Sequence, residues 1–311
     1  MSKISEDYRM RLGAALAVAA SSIGPIQAAV PSRPLTLNGA WVMNYDEDSC
    51  QLSANFGPPE NRVGIRFTRY RPGDDFELLL SGEHLPGTGA IASADLLFGP
   101  AGAAWKGNAT MADIGKVRIA IISSTSLRES PFDGRGRLTT VVQSRKSPPI
   151  TIDAVSLSPV APAREAAVSD LTVSLGRSQS FRLALGSMGQ PMAAMRTCTD
   201  DLLRHWGFNP ELGGKLRNGP VPIGNPASWA TTSDYPQSAL RAGASGNVRF
   251  RVDVAEDGKI VGCRILFRTR PDEFADLTCR LISRRARFNP ALDAEGKPVK
   301  WFYINQVRWV N

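Results

Sequence analysis

Gly246-Asn247-Val248-Arg249-Phe250-Arg251-Val252-Asp253-Val254-Ala255-Glu256-Asp257-Gly258-Lys259-Ile260 decides the fold of the C-terminal part of this chain. Val248, Phe250, Val252 and Val254 alternate with Arg249, Arg251 and Asp253. That period of two belongs to a strand with one buried and one wet face. Glu256-Asp257-Gly258-Lys259 is a hairpin signal, since Asp-Gly accepts the positive φ of a tight two-residue turn. The return strand, Ile260 to Arg268, is predicted to point Val261, Cys263, Ile265 and Phe267 to one side.

Working outward, Tyr235 to Arg241 reads as a short helix, with Asp234 available near its N-terminus and Gly243 ending it. After the hairpin, Pro271-Asp272-Glu273 starts a second helix with acids at the positive end of its dipole. Phe274, Ala275, Leu277, Cys279, Leu281 and Ile282 cover one side of it, and Arg284, Arg285 and Arg287 gather at its end. Phe288-Asn289-Pro290-Ala291 stops the helix, because proline cannot continue it. Val299 to Val310 is the last strand. It sets Trp301, Tyr303, Val307 and Trp309 against Lys300, Phe302, Ile304, Gln306 and Arg308. Both faces carry large apolar groups, so one of them rests either on the rest of the chain or on a partner.

These pieces, in this order, resemble the C-terminal domain of the TonB family. The resemblance rests on Tyr235-Pro236, Ala239-Leu240-Arg241 with Gly243, and Gly246-x-Val248. Further along it rests on Val252-x-Val254 before Asp257-Gly258, and on Arg285-x-Arg287-Phe288-x-Pro290-Ala291 followed by Gly296. It implies a small α+β domain, an antiparallel sheet with helices on one face, in a periplasmic protein. The implied partner is an extended segment of an outer-membrane receptor or another envelope protein, added as a strand to the sheet edge. By analogy the partner-binding residues are Lys300, Phe302, Ile304, Gln306 and Arg308 on the final strand. The family couples inner-membrane energy to transport; the other function in view is a non-transducing envelope adaptor or a dimerisation module that forms a homodimer. The chain has neither the long proline-rich spacer of TonB transducers nor their membrane-embedded Ser and His pattern.

The formal charge of +8 over 311 residues raises nucleic acid as a partner. No zinc-finger spacing, helix-turn-helix signal or aromatic RNA-binding motif accompanies the charge, and a basic envelope protein is the reading adopted. Arg9 and Arg11 precede an uncharged run from Leu12 to Val30, with Gly24-Pro25 and Gln27-Ala28-Ala29 near its end. Residues 1–29 therefore read as a signal peptide or an N-terminal inner-membrane anchor. An even set of cysteines, Cys50, Cys198, Cys263 and Cys279, suits disulfides in an exported chain, and four allow three connectivities. Cys279 on the helix flank can reach Cys263 on the neighbouring strand; Cys50 with Cys198 would tie the N-terminal region together. No CxxC pair supports zinc.

Residues 30–207 read as a β-rich domain, a sandwich or barrel, with a terminal helix. Its alternating segments include Asn38 to Tyr45, Ser49 to Phe56, Val63 to Tyr70, Phe76 to Leu80, Val117 to Ile122, Leu138 to Val142, Leu171 to Leu175 and Phe181 to Leu185. Ser147 to Ala166 reads as an internal loop. The helix opens near Pro191 and ends at Trp206-Gly207. Residues 208–230, rich in proline and glycine, read as a linker before the domain at 231–311. His84, His205, Asp74-Asp75 and Asp200-Asp201 fit surface, turn and capping roles, and no nucleophile or phosphate-loop motif accompanies them. No catalytic residue, metal or cofactor is expected.

Overall fold

The computed structural model describes residues 33–83, 85, 91–100, 104–128, 140–141, 159–176 and 179–311. The leader or anchor at 1–29, His84 and most of the strand expected at Leu138 to Val142 lie outside the described residues.

The N-terminal strands are β1 (Leu35–Tyr45), β2 (Cys50–Phe56), β3 (Val63–Arg69), β4 (Phe76–Gly82), β5 (Ile91–Gly99), β6 (Ala104–Ile114), β7 (Val117–Thr125), β8 (Thr140–Val141), β9 (Asp170–Leu175) and β10 (Gln179–Ala184). All but β8 close into a barrel in the order β1-β10-β9-β5-β6-β7-β4-β3-β2. Neighbours are antiparallel except at the closure, where Leu35 and Thr36 run parallel to Leu183 and Ala184. Alternation fills the interior: Leu52, Phe56, Ile65, Phe67, Leu78, Leu80, Leu96 and Phe98 are buried together. The barrel thus has a packed core.

Helix α1 (Pro162–Ala167) stands where the sequence suggested loop, and α2 (Gly189–His205) follows β10. Met192, Met195, Cys198 and Leu202 put one stripe of α2 into the barrel core. Cys198 is bonded to Cys50 of β2, closing 148 residues, which the chain-entropy model values at roughly 5 kcal/mol.

The segment expected as a tether is folded against its surroundings. It holds α3 (Pro210–Gly213), capped by the Asn209 side chain, and β11 (Val221–Pro222). After it come α4 (Gln237–Arg241), β12 (Gly246–Val254), β13 (Ile260–Arg268), α5 (Glu273–Arg285), β14 (Phe288–Asn289), β15 (Ala291–Leu292), β16 (Pro298–Val299) and β17 (Trp301–Trp309). The main sheet has the order β13-β12-β17-β8; β11 pairs with β14, and β15 with β16. Helix α5 buries Phe274, Ala275, Thr278, Leu281 and Ile282 toward the sheet. Trp309 stacks on Phe274 at 5.3 Å and donates its indole N–H to Thr278 Oγ1. Cys263 of β13 is bonded to Cys279 of α5.

Three local expectations change. The hairpin loop is three residues, Glu256 to Gly258: Gly258 N–H donates to Ala255 O, Ala255 N–H donates to Lys259 O, and only the left-handed Gly258 needs its freedom. β13 carries two register shifts against β12, where Leu266 and Val261 are the extra residues. Each bulge flips the parity, so Phe267 lies opposite Arg249 and Val261 is exposed, while Cys263 and Ile265 face the helix. Asp234 does not cap α4, whose N-cap is Pro236. It closes a capping box with Thr231 and grips Arg285 with both oxygens, at 2.6 and 2.7 Å.

Candidate functional site

The final strand presents two faces and one outer edge. Tyr303, Val307 and Trp309 belong to the helix-side core. The other face, shared with Arg249 and Arg251 of β12, is turned to the barrel. Arg249 donates to Glu77 Oε2 of β4 at 3.1 Å and to Gln306 Oε1 at 3.4 Å, and its guanidinium lies 4.3 Å from the Tyr70 ring. Burial, with Glu77 beside it, pushes the Tyr70 hydroxyl up to about 12. Arg251 stacks on Trp206 at 3.9 Å while bonding Asp253. Arg264 reaches Glu47 at 2.7 Å.

The sequence-derived partner residues divide here. Phe302 is buried between Trp206 and Phe208, 5.7 and 5.3 Å away, in a small core with Leu203 and Trp301. Lys300 lies over Phe208. Ile304, Gln306 and Arg308 border a cleft of about 230 Å³ whose opposite wall is Ile91, Asn108 and Thr110 of the barrel. Along the edge itself, β8 pairs in parallel with Val307 and Arg308; Trp301 to Gln306 have no strand beyond them among the described residues.

The motif residues build the domain. Tyr235 Oη donates to Ala244 O, and its ring meets Phe274 and Trp309. Gly246 allows the Phe274 ring to approach: a Cβ there would stand 2.8 Å from it. Gly258 does the same for the main chain, with Phe288 O 2.1 Å from where a Cβ would sit and Pro290 behind. The Asp257-Gly258 turn and the Phe288-x-Pro290 motif are therefore two halves of one contact. Arg287 donates to Arg284 O and Ala286 O, occupying carbonyls at the end of α5. Residues 231–310 match the family model for the Gram-negative bacterial TonB protein C-terminal. This segment is a TonB C-terminal domain. Domains of this family serve in envelope energy transduction and in interactions with outer-membrane receptors. No curated protein and no solved structure matches the chain.

Outside the TonB domain, Asp74 accepts from Arg128 at 2.7 Å and from the Val160 N–H at 2.9 Å, a staple between loops. Asp201 pairs with Arg204 on the exposed side of α2, and His205 ends that helix in solvent. Sequence reasoning missed the barrel side of the docking face, namely Glu77, Tyr70, Trp206 and Phe208. The available signal was two aromatics, Trp206 and Phe208, straight after a helix end, with no apolar stripe of their own to join.

Proposed function

We propose that the TonB domain binds an extended segment of an outer-membrane receptor, or of another envelope protein, as a strand added along the outer edge of β17. The contrast between the two sheet edges carries this reading. β13 bears two bulges and the exposed cations Arg264 and Arg268, devices that blunt an edge against pairing. β17 keeps nine successive register pairs with β12 from Trp301↔Val254 to Trp309↔Gly246. A regular strand offers its outer N–H and C=O groups at even spacing, as main-chain recognition requires. β8 lies along the same edge in the same manner. An interaction module of this kind works by docking, and an exported, periplasmic protein without a catalytic role is the matching whole.

A decapeptide from the TonB box, the extended segment of an outer-membrane receptor that members of this family bind, carrying a photoreactive benzoylphenylalanine, tests this on the full chain. Cross-links mapped by mass spectrometry are expected within 300–308. Cross-links confined to β13, or none, would sink the reading.

The docked sheet face favours a second reading, a non-transducing adaptor. Buried contacts hold the TonB domain against the barrel, where a transducer needs reach. Restored receptor-dependent uptake when the chain replaces a resident TonB would exclude the adaptor.

A further inference from the structure

We infer that the outer side of α5 docks on a membrane: Arg280, Arg284 and Arg287, with Val221 and Ile223 beside them, fit the phosphates of an anionic phospholipid surface. None of these residues belongs to β17, so the inference goes beyond strand addition and stands without it. The main sheet turns one face to the barrel and packs the other against α5. The outer side of α5 therefore points away from the bulk of the molecule.

This side carries charge that the fold does not neutralise. Arg285 is paired with Asp234. Arg280, Arg284 and Arg287 are exposed, and none of them has a carboxylate partner among the described residues. Asp276, one turn before Arg280, is the acid on this side of the helix, and no ion pair joins the two. Arg280 and Arg284 stand one turn apart, where like charges repel and weaken a helix. The helix dipole favours cations in the last turn only, which accounts for Arg284 and not for Arg280. Arg287 folds back to donate to Arg284 O and Ala286 O, which holds a third guanidinium at the same end.

Apolar groups adjoin these cations. Ile223 N–H donates to Arg287 O, and Pro222 of β11 lies opposite the buried Phe288. Val221 and Ile223, on either side of Pro222, are thereby turned outward, 46 and 53% exposed. Arginines bordered by aliphatic side chains suit the boundary between anionic headgroups and acyl chains. A single-stranded nucleic acid would call for exposed aromatics to stack on. The aromatics at this end of α5, Trp229 and Phe288, are buried.

Sedimentation of the full chain with sucrose-loaded vesicles is the test, using phosphatidylcholine alone or with about one third phosphatidylglycerol. Preference for the anionic vesicles is expected, and it should fade as salt rises. At roughly fivefold per charge near the surface, Arg280→Gln/Arg284→Gln should weaken that binding about twentyfold. Arg287 is left in place because it also holds the end of α5. Lys106→Gln/Lys116→Gln removes the same charge from the barrel and should weaken binding by less than about twofold. Ile223→Ser, with an unchanged melting temperature, should weaken it about threefold or more. Equal losses in the two double variants would reduce the effect to net charge and overturn the surface. Indifference to phosphatidylglycerol overturns it too, and duplex DNA binding that only the arginine variant loses would then assign the stripe to nucleic acid.

Discussion

Asp234 shows how one carboxylate can hold a domain's entrance. The paired hydrogen bonds from Arg285, with further bonds from the Thr231 N–H and hydroxyl, keep its carboxyl far below the usual range against the opposing effect of burial. A depressed folded-state pKa means that the stabilisation is complete above the unfolded value near 3.9 and is lost as pH falls through the folded one. Asp234→Asn is expected to cost about 1–2 kcal/mol at neutral pH. It should also flatten the acid limb of the stability curve below about pH 4, as measured by urea unfolding at several pH values. An unchanged acid limb would remove this account. The sequence named Asp234 but gave it the wrong task, because an acid two residues before Pro236 looks like a helix cap and its guanidinium partner is 51 residues away.

Turns and strands carry the next level of specification. Gly258 and Gly296 hold similar backbone angles, φ +79° and +82°, in loops with the same hydrogen bonds. Only Gly258 abuts main chain, at Phe288 O; Gly296 faces the movable end of Arg217 at 3.6 Å. Gly296→Ala should cost the left-handed strain alone, about 1–2 kcal/mol, and Gly258→Ala distinctly more, read as urea midpoints. Equal losses would mean that the Phe288 contact relaxes freely. The hairpin, α5 and β17 were legible because each keeps its period with few interruptions. β5 and β6 were not: their inward places include Ala94 and Ala109, and Gly107 and Asn108 break the β-branched pattern. On β13 the period was read correctly as strand, but one inserted residue near each end, Val261 and Leu266, exchanged the faces there.

Across the molecule, the two apolar faces of the last strand made contact with the rest of the chain one of two readings, but the residues that meet it were hidden from the sequence. Glu77 and Arg249 are 172 residues apart, each on the polar side of an alternating strand, a pattern that ordinarily marks solvent. Here the two polar sides meet, and both side chains are buried. Such a pair need not stabilise relative to apolar packing, but removing one member strands the other. Glu77→Ala is expected to lose about 3–5 kcal/mol, while Glu77→Leu combined with Arg249→Met recovers most of it. Calorimetry on the three proteins checks this. A double variant no better than Glu77→Ala would show that the charge pair itself, rather than its completeness, holds the face.

The unbroken ladder between β12 and β17 has a mechanical consequence. A pull directed along β17 loads all of its rungs in shear at the same moment, whereas a pull across it would peel them open in succession. Since β12 is anchored to the barrel through Arg249 and Arg251, tension arriving lengthwise at β17 passes into the largest body of the molecule.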